Sequence, residues 1–171
     1  MNAVVIDTNV LVVADGRGQQ MSDGCRIECV ERLERVRASE QVVLDYKWLI
    51  LGEYQDNLDP NGQPTPGSAF VKWLLQTQQR ISWVTITPTD VARTKFKEFP
   101  PDKALETAFD PDDRKFVAVA NAHPKKPPIL EAADSKWLGW EAKLAKHGIR
   151  LEVLCRSELK AVQTRKTKSL P

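Results

Sequence analysis

Short β-branched runs alternate with amphipathic stretches along the chain. Residues 3–6 form a compact apolar run that predicts a buried strand; Asp7-Thr8-Asn9 interrupts it, and Val10 to Val13 resumes the apolar pattern. After a polar turn at 15–22, residues 23–38 place Ile27, Val30, Leu33 and Val36 at helical spacing. Val42-Val43-Leu44 predicts a second strand, and residues 46–58 predict a helix carrying Trp48, Leu49, Leu51 and Tyr54. Three prolines and two glycines make 59–67 a loop. A helix over 68–80, a strand over 83–86 ended by Pro88, and a helix over 90–99 capped by Thr89 or Asp90 follow. Residues 100–111 read as irregular or partly helical. Asp112 or Asp113 then opens a helix through Ala122, ended by His123-Pro124. Residues 129–133 predict a strand ending in Asp134, 137–147 a helix stopped by Gly148, and 149–154 a last strand with alternating Ile149, Leu151 and Val153. A helical turn at 157–162 precedes a basic, frayed tail from Thr164.

Strands alternating with helices imply an α/β fold: a three-layer sandwich with a mainly parallel central sheet, of Rossmann-like type. We take residues 1–160 as one domain and 161–171 as a basic C-terminal tail. In such folds ligands gather outside the carboxyl ends of the strands. No G-x-G-x-x-G follows the first strand, which speaks against a dinucleotide site. Asn9 stands where a phosphatase with an Asp7 nucleophile would carry a second aspartate.

A chain of 171 residues with 42% hydrophobic and 28% charged residues is of globular composition. The net charge of +2 does not suggest a general polyanion binder, so any nucleic-acid contact must come from a local patch. No apolar run approaches the roughly 20 residues needed to span a bilayer, and the N-terminus lacks the basic start of a secretory signal. Cys25, Cys29 and Cys155 follow no metal-binding pattern and read as small buried residues of a reducing cytoplasm.

The acids carry the chemistry. Asp7 directly follows the first strand and Asp134 the fourth, while Asp113 stands at a helix start and Glu53 within the second helix. Taken singly, an aspartate after a strand is a turn or cap residue, and a helical glutamate is solvated. Taken together, four acids from four elements can converge at one edge of the sheet. Clustered carboxylates repel and resist burial unless a cation holds them, and all-oxygen donors select hard ions such as Mg2+ or Mn2+.

The stretch Val4-Val5-Ile6-Asp7-Thr8-Asn9-Val10-Leu11 resembles the opening motif of PIN-domain nucleases. Leu51-Gly52-Glu53-Tyr54 is similar to that family's helix with one internal glutamate. Asp110-Pro111-Asp112-Asp113 followed by Phe116, Val117 and Ala120 resembles its D-P-x-D-D stretch, and Ala133-Asp134-Ser135 falls where the family has a strand-end T-x-D. Order and spacing fit over residues 2–155. The resemblance implies a PIN-like fold and a catalytic Mg2+ or Mn2+ site from Asp7, Glu53, Asp113 and Asp134. Asp110 would be an outer ligand, with Asn9 and Asp112 in support. Two departures stand out: Lys136 occupies the place of a second acid in many relatives, and Ala132-Ala133 replace the threonine or serine.

The resemblance also implies phosphodiester hydrolysis, with RNA ahead of DNA, as in toxins of the VapC type or a related defence module. A protein inhibitor or partner subunit, and a homodimer, are expected by the same analogy. Arg17, Arg114, Lys115 and Lys136 are the cations placed to contact a nucleic-acid backbone. Trp48, Trp73, Trp83, Trp137 and Trp140 fall mostly on apolar faces and read as core, with Trp137 or Trp140, close behind Asp134, as the alternative candidate to stack a base. His123 and His147 read as helix-end caps.

Overall fold

The computed structural model describes residues 1–18 and 20–169. Five strands, β1 (Asn2–Ile6), β2 (Glu40–Asp45), β3 (Ile81–Val84), β4 (Ile129–Glu131) and β5 (Leu151–Val153), form one sheet in the order β3-β2-β1-β4-β5. All four pairings are parallel. The helices are α1 (Thr8–Ala14), α2 (Asp23–Ser39), α3 (Leu49–Asn57), α4 (Pro66–Gln76), α5 (Lys103–Ala108), α6 (Arg114–Ala122), α7 (Lys136–Lys146) and α8 (Arg156–Lys168). This is the expected α/β architecture, consistent with a three-layer Rossmann-like sandwich.

Strand β1 lies at the centre because it is the most apolar, with Val4, Val5 and Ile6 fully buried. The chain moves outward from β1 to β2 and β3, then returns to the other side of β1 as β4. The sheet therefore changes direction between β1 and β4, and the ends of those strands flank the crevice where ligands bind in open parallel sheets. Helices α1, α2 and α4 pack on one another, while α6 packs across β1, β2 and β4 and against α3. The close approach of α1 and α4 depends on Gly67: a Cβ there would stand 2.3 Å from the Leu11 carbonyl oxygen. Buried Arg32 ties α2 to β2 and β5 through Glu40 at 2.8 Å and Glu152 at 2.6 Å.

Several expectations are corrected. Residues 90–99 are not helical: Pro88 bridges Phe96, Thr89 and Lys97 exchange backbone bonds with Lys95 and Thr87, and the Asp90 carboxylate accepts from Thr94 and Lys95. A side chain that bonds the following backbone offers an alternative to helix, and here it wins. Residues 46–48 form a turn before α3 rather than its first turn, because the buried Asp45 carboxylate caps the helix at Leu49 and Ile50. The third strand begins at Ile81 rather than Trp83. The basic tail is helical through Lys168, anchored by buried Leu159 and Val162, so α8 crosses the boundary drawn at residue 160. Cys25 and Cys155 form a disulfide, and only Cys29 is a free, buried thiol. The cysteines therefore lend no support to a reducing compartment. Among the described residues no helix is long and apolar enough to cross a membrane.

Candidate functional site

Strand β1 ends at Ile6 and the chain turns directly into α1, with Asp7 as its N-cap. One oxygen of Asp7, Oδ1, accepts the Asn9 backbone N–H at 2.9 Å. The other, Oδ2, is buried and has no hydrogen-bond partner. A buried, unpartnered carboxylate oxygen is costly and points to a ligand. Burial, then the negative charges of Glu131 and Asp113, push the Asp7 carboxyl well above its usual range.

Helix α3 is tied to the same strand end. The Tyr54 hydroxyl donates to the Ile6 carbonyl at 2.5 Å, and the Thr8 hydroxyl donates to Glu53. Glu53 is thereby held beside Asp7, whose carboxyl feels its charge. Asp113 closes a 3-10 turn at the head of α6 and is raised to about 7 by burial, then by Asp110 and Asp134, with Lys115 opposing. Asp134 follows β4 and accepts the Lys136 backbone N–H at 2.9 Å. The four expected acids thus come from four elements to one edge of the sheet, linked to one another by their charges.

They are drawn together without being drawn tight. Among the described residues, the only three candidate ligand atoms all within 4.8 Å of one another are the sulfurs of Cys25, Cys29 and Cys155. Two of those sulfurs are bonded to each other, so the trio is no oxygen-donor site for a hard ion. Two lysines partly balance the acids. The Lys115 ammonium pairs with Glu53, and Lys136 pairs with Asp110 at 3.0 Å. Asp110 is held below its usual range by Lys136, which is itself raised first by Asp110 and then by Asp134.

The remaining expected residues divide. The Asn9 side chain is placed as a support: it donates to both Glu131 oxygens at 2.9 and 3.1 Å and accepts from the Ala132 N–H. Asp112 is exposed, and its carbonyl rather than its carboxylate receives Lys115. Arg17 lies past the far end of α1, bonded to the Asn57 carbonyl and to Asp15, away from Asp7. Arg114 is turned inward, donating to the Glu106 and Phe109 carbonyls, so it does not offer its guanidinium to a backbone phosphate. Trp137 and Trp140 pack on Phe109 in the core, as the apolar spacing predicts, and offer no face for a base. His123 and His147 are the C-caps of α6 and α7, as expected.

Glu131 is the residue that sequence reasoning missed. It is fully buried in β4 and accepts the Ala133 and Asp134 backbone N–H groups at 2.9 and 2.7 Å, besides Asn9. It therefore fixes the loop that presents Asp134 and the residue that adjoins Asp7. Burial, outweighing these hydrogen bonds, raises its carboxyl to about 8. The available signal was a lone acid inside the apolar run Ile129–Ala133.

Comparison of the chain with models of known families, with curated proteins and with solved structures gives no match.

Proposed function

We propose that this protein is a PIN-like, metal-dependent endonuclease that hydrolyses phosphodiester bonds, with RNA as the preferred substrate and DNA as the alternative. The observation that supports it best is the buried, unpartnered Oδ2 of Asp7 at the head of a convergent set of acids. The donor set is all oxygen, which suits Mg2+ or Mn2+. Asp7, Glu53, Asp113 and Asp134 would hold such an ion, with Asp110 as an outer member. A divalent ion there supplies Lewis-acid polarisation of the phosphodiester and a nucleophilic water at neutral pH. The chain's own groups do the rest. Glu131 and Asn9 hold Asp7 and Asp134 in register, and Thr8 orients Glu53. A toxin or effector role in a toxin–antitoxin or defence module, with a protein partner and a homodimer, belongs to the same reading by analogy alone.

A second reading is supported by Lys115 and Lys136, which already neutralise Glu53 and Asp110. It makes the protein a PIN-like binding module without full metal affinity. The two separate on end-labelled single-stranded RNA and DNA incubated with Mn2+, Mg2+ or EDTA, using the parent and Asp7→Asn. Metal-dependent cleavage by the parent alone supports the nuclease. Cleavage by neither protein, with no rise in melting temperature on adding metal, supports the binding module.

A further inference from the structure

Three aromatic rings, two of them exposed and one half-buried, are gathered at the carboxyl edge of the sheet. Tyr46 and Trp48 follow β2, and Trp83 lies in the neighbouring β3. The Tyr46 and Trp83 ring centroids are 5.7 Å apart and those of Trp48 and Trp83 6.3 Å, each pair tilted by only 22°. Tyr46 is 62% and Trp48 55% exposed, and they are two of the few large apolar side chains on the surface. Trp83 is half-buried against the core, but burial does not hold Tyr46 and Trp48 in place. The backbone does: Asp45 caps α3 from below, and Trp48 is held at φ +61°, a left-handed conformation costly for a bulky side chain.

Next to Trp48, Leu49 shares one surface pocket with Arg93, Thr94, Asp112 and Lys115. Lys115 pairs with Glu53, so the pocket that begins at Leu49, the residue after Trp48, ends beside the acids. Arg93 and Lys47 are exposed and form no ion pair among the described residues. A stack of nearly parallel rings whose members Tyr46 and Trp48 are exposed accepts a flat, weakly hydrated partner, and flanking cations select one that carries anionic linkages. An unpaired nucleobase on a phosphodiester backbone has both properties. A base within a duplex keeps its faces covered by its neighbours and offers none.

We infer that Tyr46, Trp48 and Trp83 form a stacking platform that binds an unpaired nucleobase and lays a single strand across the pocket toward the acid cluster. This inference deepens the proposed nuclease reading and rests on it for the direction of the strand, though binding itself needs no metal. The test is fluorescence anisotropy of the full chain in EDTA with labelled single-stranded RNA, single-stranded DNA, a matched abasic strand and a duplex.

Single strands are expected to bind, with the abasic strand and the duplex about tenfold weaker. Trp48→Ala and Tyr46→Ala are each expected to bind single strands about tenfold more weakly, and Trp48→Phe is expected to restore most of the loss. RNA and DNA binding equally well leaves the base as the common ligand, while a preference for RNA adds the ribose hydroxyl to what is read. Undiminished binding by Trp48→Ala, equal affinity for the abasic strand, preference for the duplex, or no binding of any strand overturns the platform. The abasic and duplex comparisons use the parent protein, so they decide the matter even if a variant folds poorly. Failure of the nuclease reading is seen separately, as absent metal-dependent cleavage by a parent that still binds single strands.

Discussion

The acid edge should make the metal-free protein less stable as the pH rises through neutrality. Asp113 is raised to about 7 and Glu131 to about 8, and Asp7 is raised as well. For each, the folded-state pKa lies above that of the unfolded chain. The native state therefore holds more protons than the unfolded state across this interval. The stability so gained is full below the unfolded carboxyl range and is lost as the pH climbs through the folded values. Each pH unit of such a difference is worth about 1.4 kcal/mol per group. Asp113 alone, between pH 5 and pH 7, gives a ceiling of about 3 kcal/mol, and water reaching this half-open edge reduces it to about 2. In a chain of this size that corresponds to a melting temperature roughly 4–8 °C lower at pH 8 than at pH 5.

The assay is thermal denaturation in EDTA followed by far-ultraviolet circular dichroism, across that range. Asp7→Asn removes one buried charge from the set and should flatten the curve while raising the melting temperature at pH 8. Millimolar Mn2+ should restore the parent at pH 8, because an ion that binds only the folded state stabilises it. A melting temperature that is flat or rising from pH 5 to pH 8 in EDTA would show that neither burial nor repulsion raises these carboxyls in the folded protein.

Three further outcomes follow from individual contacts. Gly67→Ala should cost about 1–3 kcal/mol in urea denaturation, since its Cβ would meet the Leu11 carbonyl oxygen at 2.3 Å and neither backbone can yield freely. Cys155→Ser should lower stability by about 4 kcal/mol, because the bridge to Cys25 closes a loop with a separation of 130 residues; an unchanged melting temperature, or no effect of dithiothreitol on the parent, would exclude the bridge. Glu131→Ala should lose about 2–4 kcal/mol at pH 5, where Glu131 itself holds its proton and the orphaned N–H groups of Ala133, Asp134 and the Asn9 amide count; a neutral or stabilising result there would remove its positioning role.

What the sequence could show was set by how local each cause is. Strand β1 and the acids at the strand ends were legible because burial on both faces requires an uninterrupted apolar run and the chain's polarity changes sharply where that run stops. Gly148, at φ +74°, ended α7 where its left-handed freedom predicted. Residues 90–99 misled because Asp90 reads as a helix cap in sequence, while its side chain's bonds to Thr94 and Lys95 close a turn instead. The start of α3 misled for the same reason: Asp45 is an unremarkable acid in sequence, yet its two backbone bonds displace Tyr46 and Trp48 from a helix face onto the surface. Glu131, the inward turn of Arg114 and the Cys25–Cys155 bridge all depend on partners distant in the chain or on the three-dimensional surroundings. No periodicity reports those.

Lys136 is where charge balance can be tested directly. On the proposed PIN-like reading it occupies the place of a second acid, and its ammonium sits 3.0 Å from Asp110 while Asp134 and Asp113 also hold its proton in place. A divalent ion entering this edge must overcome that positive charge. Lys136→Glu changes the local charge by two units at an exposed position, so folding should be little affected. Exposed pairs contribute little singly, but repulsion of a divalent ion by a lysine is replaced by attraction to a carboxylate, and an improvement of about tenfold in Mn2+ affinity is a fair measure of the difference. Isothermal titration of the parent and of Lys136→Glu gives that ratio without reference to any substrate. Tighter binding by the variant means that the lysine holds the place of charge the ion would bring. Equal or weaker binding means that Lys136 lies outside the ion's reach, and that Asp7, Glu53, Asp113 and Asp134 set the affinity without it.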